Sequence, residues 1–138
     1  MRRNTFILAV LFALGSIATT TAQTLQQRES IDDINTMLER NRWGEARMAL
    51  ERFSSELDPI VDYNDVVWVE YYKVRCAMEL GDADVVSAME NYLKRYPASP
   101  YRNDMQFMLA CYVSDEGDYK QAAELFKKVN YKGLNASD

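Results

Sequence analysis

The chain has 138 residues, of which 48% are hydrophobic and 27% are charged, and its net charge at pH 7 is −5. This length suits one domain of ordinary size. The excess of acidic side chains argues against nucleic acid or an anionic membrane face as the partner, because phosphate binding needs clustered Lys and Arg. The sequence contains no histidine, so it lacks the commonest general base and metal ligand near neutral pH.

The first 22 residues have the features of a secretory signal peptide. Arg2 and Arg3 give a basic start, residues 6–14 form an unbroken apolar run, and Ala22 ends a group of small residues suited to cleavage. The run is nine residues long, whereas a membrane-spanning helix takes ~20. No cysteine for lipid attachment lies just after Ala22. We therefore predict an exported, periplasmic protein without a membrane span, which begins at Gln23 and carries 14 basic and 21 acidic side chains.

Apolar residues recur three and four positions apart throughout residues 23–138, a spacing that predicts an all-α domain of amphipathic helices. The first two helices are predicted around residues 31–38 and 46–57, with a sharp turn at residues 41–42 between them. A loop is expected to follow through residues 58–65, because Asp-Pro ends a helix.

Residues 66–74 are ambiguous, because β-branched and aromatic side chains at this density also favour a strand. We predict a helix, since Val67, Tyr71 and Val74 share one helical face and Gly81 follows as a C-cap would. The fourth helix is then expected to start at Asp82.

Two prolines and a Gly-Asp pair delimit the remaining helices. Pro97 is expected to end the fourth helix, and Pro100 is expected to open the fifth, with Ser99 as its cap. The sixth helix is predicted from Tyr119 to about residue 130. Six helices in three antiparallel hairpins follow from these boundaries.

The hairpin turns recur at a regular interval. Ala46, Val86 and Ala122 occupy the same place after their turns, and they are separated by 40 and 36 residues. Both intervals are close to the ~34-residue tetratricopeptide unit and far from the periods of propellers or leucine-rich repeats.

The chain resembles the tetratricopeptide repeat family over almost all of residues 23–138. The resemblance implies a short right-handed solenoid of about three stacked hairpins, in which a small residue after each turn lets two helices approach. A generic helical-hairpin solenoid is the alternative. The residues that carry the resemblance are Trp43, Ala46, Gly81, Asp82, Pro97, Gly117, Asp118, Tyr119, Ala122 and Phe126.

The resemblance also implies where a ligand would bind. In tetratricopeptide arrays the first helices of the hairpins line a concave groove, and aromatic and Arg side chains are enriched where proteins and peptides bind. The alternative is that Trp68 and Tyr72 fill the core beside the loop at 58–65. The candidate groove residues are Trp68, Tyr71, Tyr72, Arg75, Asp104 and Phe107.

Little in the sequence favours catalysis. It has no phosphate-binding glycine loop and no nucleophile motif. The carboxylate pairs Asp32-Asp33 and Asp115-Glu116 could act as acid and base or hold calcium, but their spacing matches no calcium loop, and capping or solvation explains them. We expect no enzyme activity, no metal and no cofactor.

Cys76 and Cys111 lie about one repeat apart on predicted first helices. In an oxidising compartment a disulfide between them has to be considered. Neighbouring helix axes are ~8–10 Å apart, however, and a disulfide needs Cα atoms within ~7 Å. Buried free thiols are the preferred interpretation.

These features predict a non-catalytic periplasmic scaffold or adaptor that binds a protein or an extended peptide in a concave groove. The alternative is a structural or oligomerisation module that forms the N-terminal segment of a larger cell-envelope protein. Residues 131–138 favour that alternative, because they are typical of a connector and not of a polar capping helix. The last hairpin would then self-associate or dock on a partner.

Overall fold

The computed structural model describes residues 30–133, and this part of the chain is all-α, with six helices and no strand. The predicted signal peptide and residues 134–138 lie outside the described residues. A short 3₁₀ turn at Tyr131–Gly133 follows the last helix. The helices are α1 (described over residues 30–39), α2 (Trp43–Ser54), α3 (Tyr63–Leu80), α4 (Val85–Arg95), α5 (Arg102–Asp115) and α6 (Tyr119–Phe126). Within residues 30–133, no helix combines the length and the hydropathy that a membrane crossing requires.

The chain divides into two compact units after Arg42. In the first unit, α1 is followed by a left-handed residue, Asn41, whose φ is 55°. The N–H of Asn41 donates to the carbonyl of Leu38 (3.0 Å), and that of Arg42 donates to the carbonyl of Met37 (2.9 Å). Asn is the residue other than Gly that most readily adopts this helix-ending conformation. The predicted turn at residues 41–42 is therefore confirmed.

In the second unit each helix packs against the next one in the chain, from α2 on α3 to α5 on α6. The small residues Ala46 and Ala122 are buried, with 0% and 2% of their surface exposed. One continuous buried cluster extends over α3 to α6. Its members are Val67, Tyr71, Val85, Met89, Tyr92, Tyr96, Met105, Leu109, Ala110, Val113, Ala122 and Leu125.

The ambiguous stretch at residues 66–74 lies inside α3, so the helical interpretation is confirmed. The helix ends as predicted at Gly81, whose φ is 73°. The Gly81 N–H donates to the carbonyl of Met78 (3.1 Å), and the Asp82 N–H donates to that of Ala77 (3.0 Å). The two bonds satisfy carbonyl groups that the end of the helix would otherwise leave without partners.

Two helices begin later than predicted. α4 begins at Val85, and Asp82 lies in the preceding turn, where its carboxylate pairs with Arg47 of α2 (2.6 Å). α5 begins at Arg102 instead of Pro100. The Ser99 hydroxyl still accepts a hydrogen bond from the Tyr101 N–H (3.0 Å), so it caps the turn before the helix.

Two helices end earlier than predicted. α2 ends at Ser54, and the Ser55 hydroxyl donates to the carbonyl of Arg52 (2.6 Å) just beyond it. α6 ends at Phe126, and Asn130 is bonded to α5 instead of continuing the helix.

The third predicted turn has the expected geometry, and α6 begins at Tyr119 as predicted. Gly117 is left-handed with a φ of 91°, and the Asp118 carboxylate accepts from the Gln121 N–H (3.0 Å) as an N-cap. Tyr119 is 73% exposed, so its side chain does not join the core. Of the other residues that carry the resemblance, Trp43 and Phe126 are half-buried and Pro97 is exposed.

Replacing Gly81 by Ala should lower the free energy of unfolding by about 1 kcal/mol, because an L-residue is strained at a positive φ. The site has room for the added methyl group, so strain is the only new cost. Gly44→Ala is the matched control, since Gly44 also has open space but lies in α2 without a positive φ. It should be neutral or slightly stabilising. Urea unfolding measures the free energy of unfolding of both variants. An equal loss in Gly81→Ala and Gly44→Ala would contradict the explanation by strain at a positive φ.

Candidate functional site

α3 brings four of the candidate residues to one region of the second unit. Trp68, Tyr72 and Arg75 are spaced four and three residues apart, so they lie on one side of the helix, and Tyr71 is adjacent to them. Tyr71 is the most enclosed of the four, with 3% of its surface exposed, and the other three are half-buried.

Tyr71 connects α3 to the beginning of α5. Its hydroxyl donates a hydrogen bond to the carboxylate of Asp104. Its ring stacks on the ring of Tyr101, with 4.6 Å between centroids and 20° between planes. Burial, reinforced by the bond to Asp104, raises the pKa of Tyr71 well above its usual range. Tyr71 therefore stays a neutral donor at physiological pH.

Arg75 extends this hydrogen-bonded chain on α3. Its Nη1 donates to the Tyr71 hydroxyl over a distance of 3.4 Å. Its Nε is buried and has no hydrogen-bond partner among the described residues. A guanidinium can donate five hydrogen bonds, so most of the donor capacity of Arg75 is not used within residues 30–133.

The aromatic side of the site runs from Tyr71 toward α2. Tyr72 contacts both Tyr71 (4.9 Å between ring centroids) and Trp68 (5.1 Å). Trp68 in turn makes an edge contact with Phe53 of α2 at 6.5 Å. The contact with Phe53 agrees with the alternative that Trp68 fills the core. Trp68 and Tyr72 are only half-buried, however. Their partial exposure leaves surface available to a ligand.

Five of the six candidates thus form one connected group, and a sixth member, Tyr101, was not predicted. We call this group the Tyr71 cluster, and its members are Trp68, Tyr71, Tyr72, Arg75, Tyr101 and Asp104. The spacing of Tyr101, three residues before Asp104, was a signal that the two share a helical face. Phe107 is not part of the cluster, because it packs against Phe126 of α6 (6.2 Å).

Both cysteines are free thiols. Cys76 is fully buried and Cys111 is half-buried. Burial raises the pKa of Cys76 to about 11, and burial together with the nearby Asp115 carboxylate also raises the pKa of Cys111. An activated thiol has a lowered pKa, so neither residue has the environment of a nucleophile.

The chemistry available at the Tyr71 cluster is recognition through aromatic surface and hydrogen-bond donors. The cluster contains one carboxylate, Asp104, and one cation, Arg75. In the part of the chain that the structure describes, no group of three or more Cys, Asp or Glu residues is placed to hold a metal ion.

No protein-family model matches the sequence, and no curated protein or solved structure is significantly similar to it. The resemblance to tetratricopeptide repeats therefore rests on the residues of this chain.

Alkylation should distinguish the two thiols. At pH 8 a pKa of about 11 leaves roughly one Cys76 side chain in a thousand as thiolate. Cys76 is also completely enclosed, whereas Cys111 is partly accessible. Iodoacetamide followed by mass spectrometry should therefore label Cys111 in the folded protein and Cys76 only after unfolding. Labelling of Cys111 should become faster as the pH rises, since the thiolate is the reactive form. Equal rates for the two residues in the folded protein would show that Cys76 is not enclosed.

Proposed function

We propose that this chain is a non-catalytic scaffold of tetratricopeptide-like helical hairpins that binds a protein or an extended peptide at the Tyr71 cluster. The compartment that suits this role is the periplasm, which the predicted signal peptide favours. The observation that carries the proposal is the grouping of the half-buried side chains Trp68, Tyr72 and Arg75 around Tyr71.

The arrangement of helices supports the repeat part of the proposal. Helices α2 to α6 pack pairwise in chain order, as stacked hairpins do. Gly81 and Gly117 adopt the left-handed conformation at two of the turns. Ala46 and Ala122, at equivalent places after their turns, are both buried.

The composition and rigidity of the Tyr71 cluster support the binding part. Trp, Tyr and Arg side chains dominate the energetics of protein interfaces, because they offer large contact area with a polar tip. Tyr71 is fixed on both sides, by Asp104 and by the stacked ring of Tyr101, so the surface beside it is preorganised. Backbone carbonyl and carboxylate oxygens of a peptide are the acceptors that the remaining Arg75 donors would take.

Trp68→Ala tests the aromatic part of the site. It should abolish capture of a partner from an envelope extract and change the melting temperature by only a few degrees, because Trp68 is half-buried. Tyr119→Ala is the matched control, since Tyr119 is a 73% exposed aromatic residue on α6, outside the Tyr71 cluster. It should leave capture intact. A large fall in the melting temperature of Trp68→Ala would instead assign Trp68 to the core through its contact with Phe53.

Arg75→Gln tests the ionic part with less risk to folding, because it removes the charge and retains most of the side-chain length. Its partner capture should fall by about tenfold or more, the scale of losing a charge-assisted hydrogen bond. The capture assay should be run on Arg75→Gln and Trp68→Ala side by side. If Arg75→Gln captures as much partner as the unmodified protein, Arg75 is not part of the binding site.

Exposed aromatic residues near the end of the described chain favour the alternative role as an oligomerisation module. Tyr119 on α6 and Tyr131 in the following turn are 73% and 59% exposed. If they mediate self-association, sedimentation should show a concentration-dependent dimer that Tyr119→Ala weakens. A monodisperse monomer at all concentrations would eliminate this alternative without affecting the Tyr71 cluster.

A further inference from the structure

A cavity of about 330 Å³ lies between the start of α5 and the segment that follows α6. Its volume is within the range of small-molecule sites, roughly 300–1,000 Å³. It shares no residue with the Tyr71 cluster, so it is a separate feature of the second unit. The polar residues that line it are Ser99, Arg102, Asn103, Gln106, Lys128 and Asn130.

The two walls of the cavity are held together by a reciprocal pair of hydrogen bonds. The side-chain amide of Asn103 donates to the Asn130 carbonyl (2.9 Å), and the Asn130 N–H donates to the Asn103 side-chain oxygen (2.7 Å). Gln106 is 6% exposed and donates over a longer distance, 3.5 Å, to the carbonyl of Leu125. These bonds fix the segment after α6 against α5, so the cavity is preformed.

The charge of the lining is opposite to that of the whole chain. The protein has 21 acidic and 16 basic side chains, yet the cavity is lined by the cations Arg102 and Lys128 and by no carboxylate. Within residues 30–133, neither cation forms an ion pair. Arg102 donates one hydrogen bond, from Nη1 to the carbonyl of Leu93 (3.0 Å), which leaves further N–H groups for a ligand.

The nearest acidic residues in the sequence are bonded to other groups. Asp104 is in the first turn of α5, but its carboxylate accepts from the Tyr71 hydroxyl. Glu124 of α6 pairs with Lys127 (2.6 Å) and not with Lys128. The first turn of α5 carries partial positive charge, but the C-terminal end of α6 beside Lys128 carries partial negative charge. The positive charge of the lining therefore comes from Arg102 and Lys128.

We propose that this cavity binds a small oxyanion, either a carboxylate or a phosphate group. Arg102 and Lys128 supply the charge, and the side-chain amide of Asn130 is a further donor. Arg in particular matches both groups, because its planar fork donates two parallel hydrogen bonds to adjacent oxygens. The cavity shares no lining residue with the Tyr71 cluster.

The experiment is a titration of the ¹⁵N-labelled protein, followed by NMR, with sodium phosphate, sodium acetate or sodium chloride at constant ionic strength. Phosphate or acetate should give saturable shifts at the Arg102 side chain and at the Asn103 and Asn130 amides. Chloride should not. Saturation with phosphate alone, acetate alone or both supports the site and identifies which oxyanion it takes.

Two charge-removing variants complete the test. Lys128→Gln should weaken the saturable response by about tenfold, as expected for a lost charge-assisted contact. Lys120→Gln is the matched control, because Lys120 is an exposed lysine of α6 that does not line the cavity. It should leave the response unchanged. The proposal is overturned if chloride gives the same shifts, if no titration saturates, or if the two variants respond equally.

Discussion

A tyrosine hydroxyl can be buried in a helical core only if it finds a hydrogen-bond partner there, and this requirement fixes how α3, α4 and α5 meet. Tyr92 of α4 hydrogen-bonds with the Ser99 hydroxyl (2.7 Å) and donates to the carbonyl of Val67 on α3 (3.4 Å). Tyr71 of α3 finds its partner in Asp104 of α5. Burial raises the pKa of Tyr92 to about 12, so it stays neutral, as Tyr71 does.

One partner of each tyrosine lies in a short stretch of the chain, Ser99 for Tyr92 and Asp104 for Tyr71. Ser99 bonds to Tyr92 and also accepts from the Tyr101 N–H, so it determines where the turn before α5 is placed. The Tyr101 ring is thereby brought to stack on Tyr71. Packing of the core and construction of the Tyr71 cluster therefore depend on the same few hydrogen bonds. A change at Ser99 would disturb both.

The turns of this fold are predictable from the sequence because they depend on local backbone chemistry. Asn41, Gly81 and Gly117 all occupy left-handed positions, which few other residues tolerate. The helical character of residues 66–74 was also predictable, from the spacing of Val67, Tyr71 and Val74. In each case the signal lies within a few residues of the feature.

The contacts between helices were less predictable. Periodicity shows on which face of its helix a residue lies, but it does not show which residue of another helix it contacts. Phe107 shares a helix with Asp104 but contacts Phe126 instead of the Tyr71 cluster. Asp82 was expected to start α4, but it pairs with Arg47 across a separation of 35 residues. Tyr101 was not predicted, because its stacking partner Tyr71 lies on another helix and 30 positions away in the chain.

The first turn of α5 shows most sharply that neighbouring residues of one helix can have different partners. There, Asp104 bonds to Tyr71 while Arg102 and Asn103 line the cavity. Successive residues of a helix are turned by ~100°, so one turn can separate a carboxylate from two donors. That separation allows Arg102 to line the cavity although Asp104 lies only two positions away.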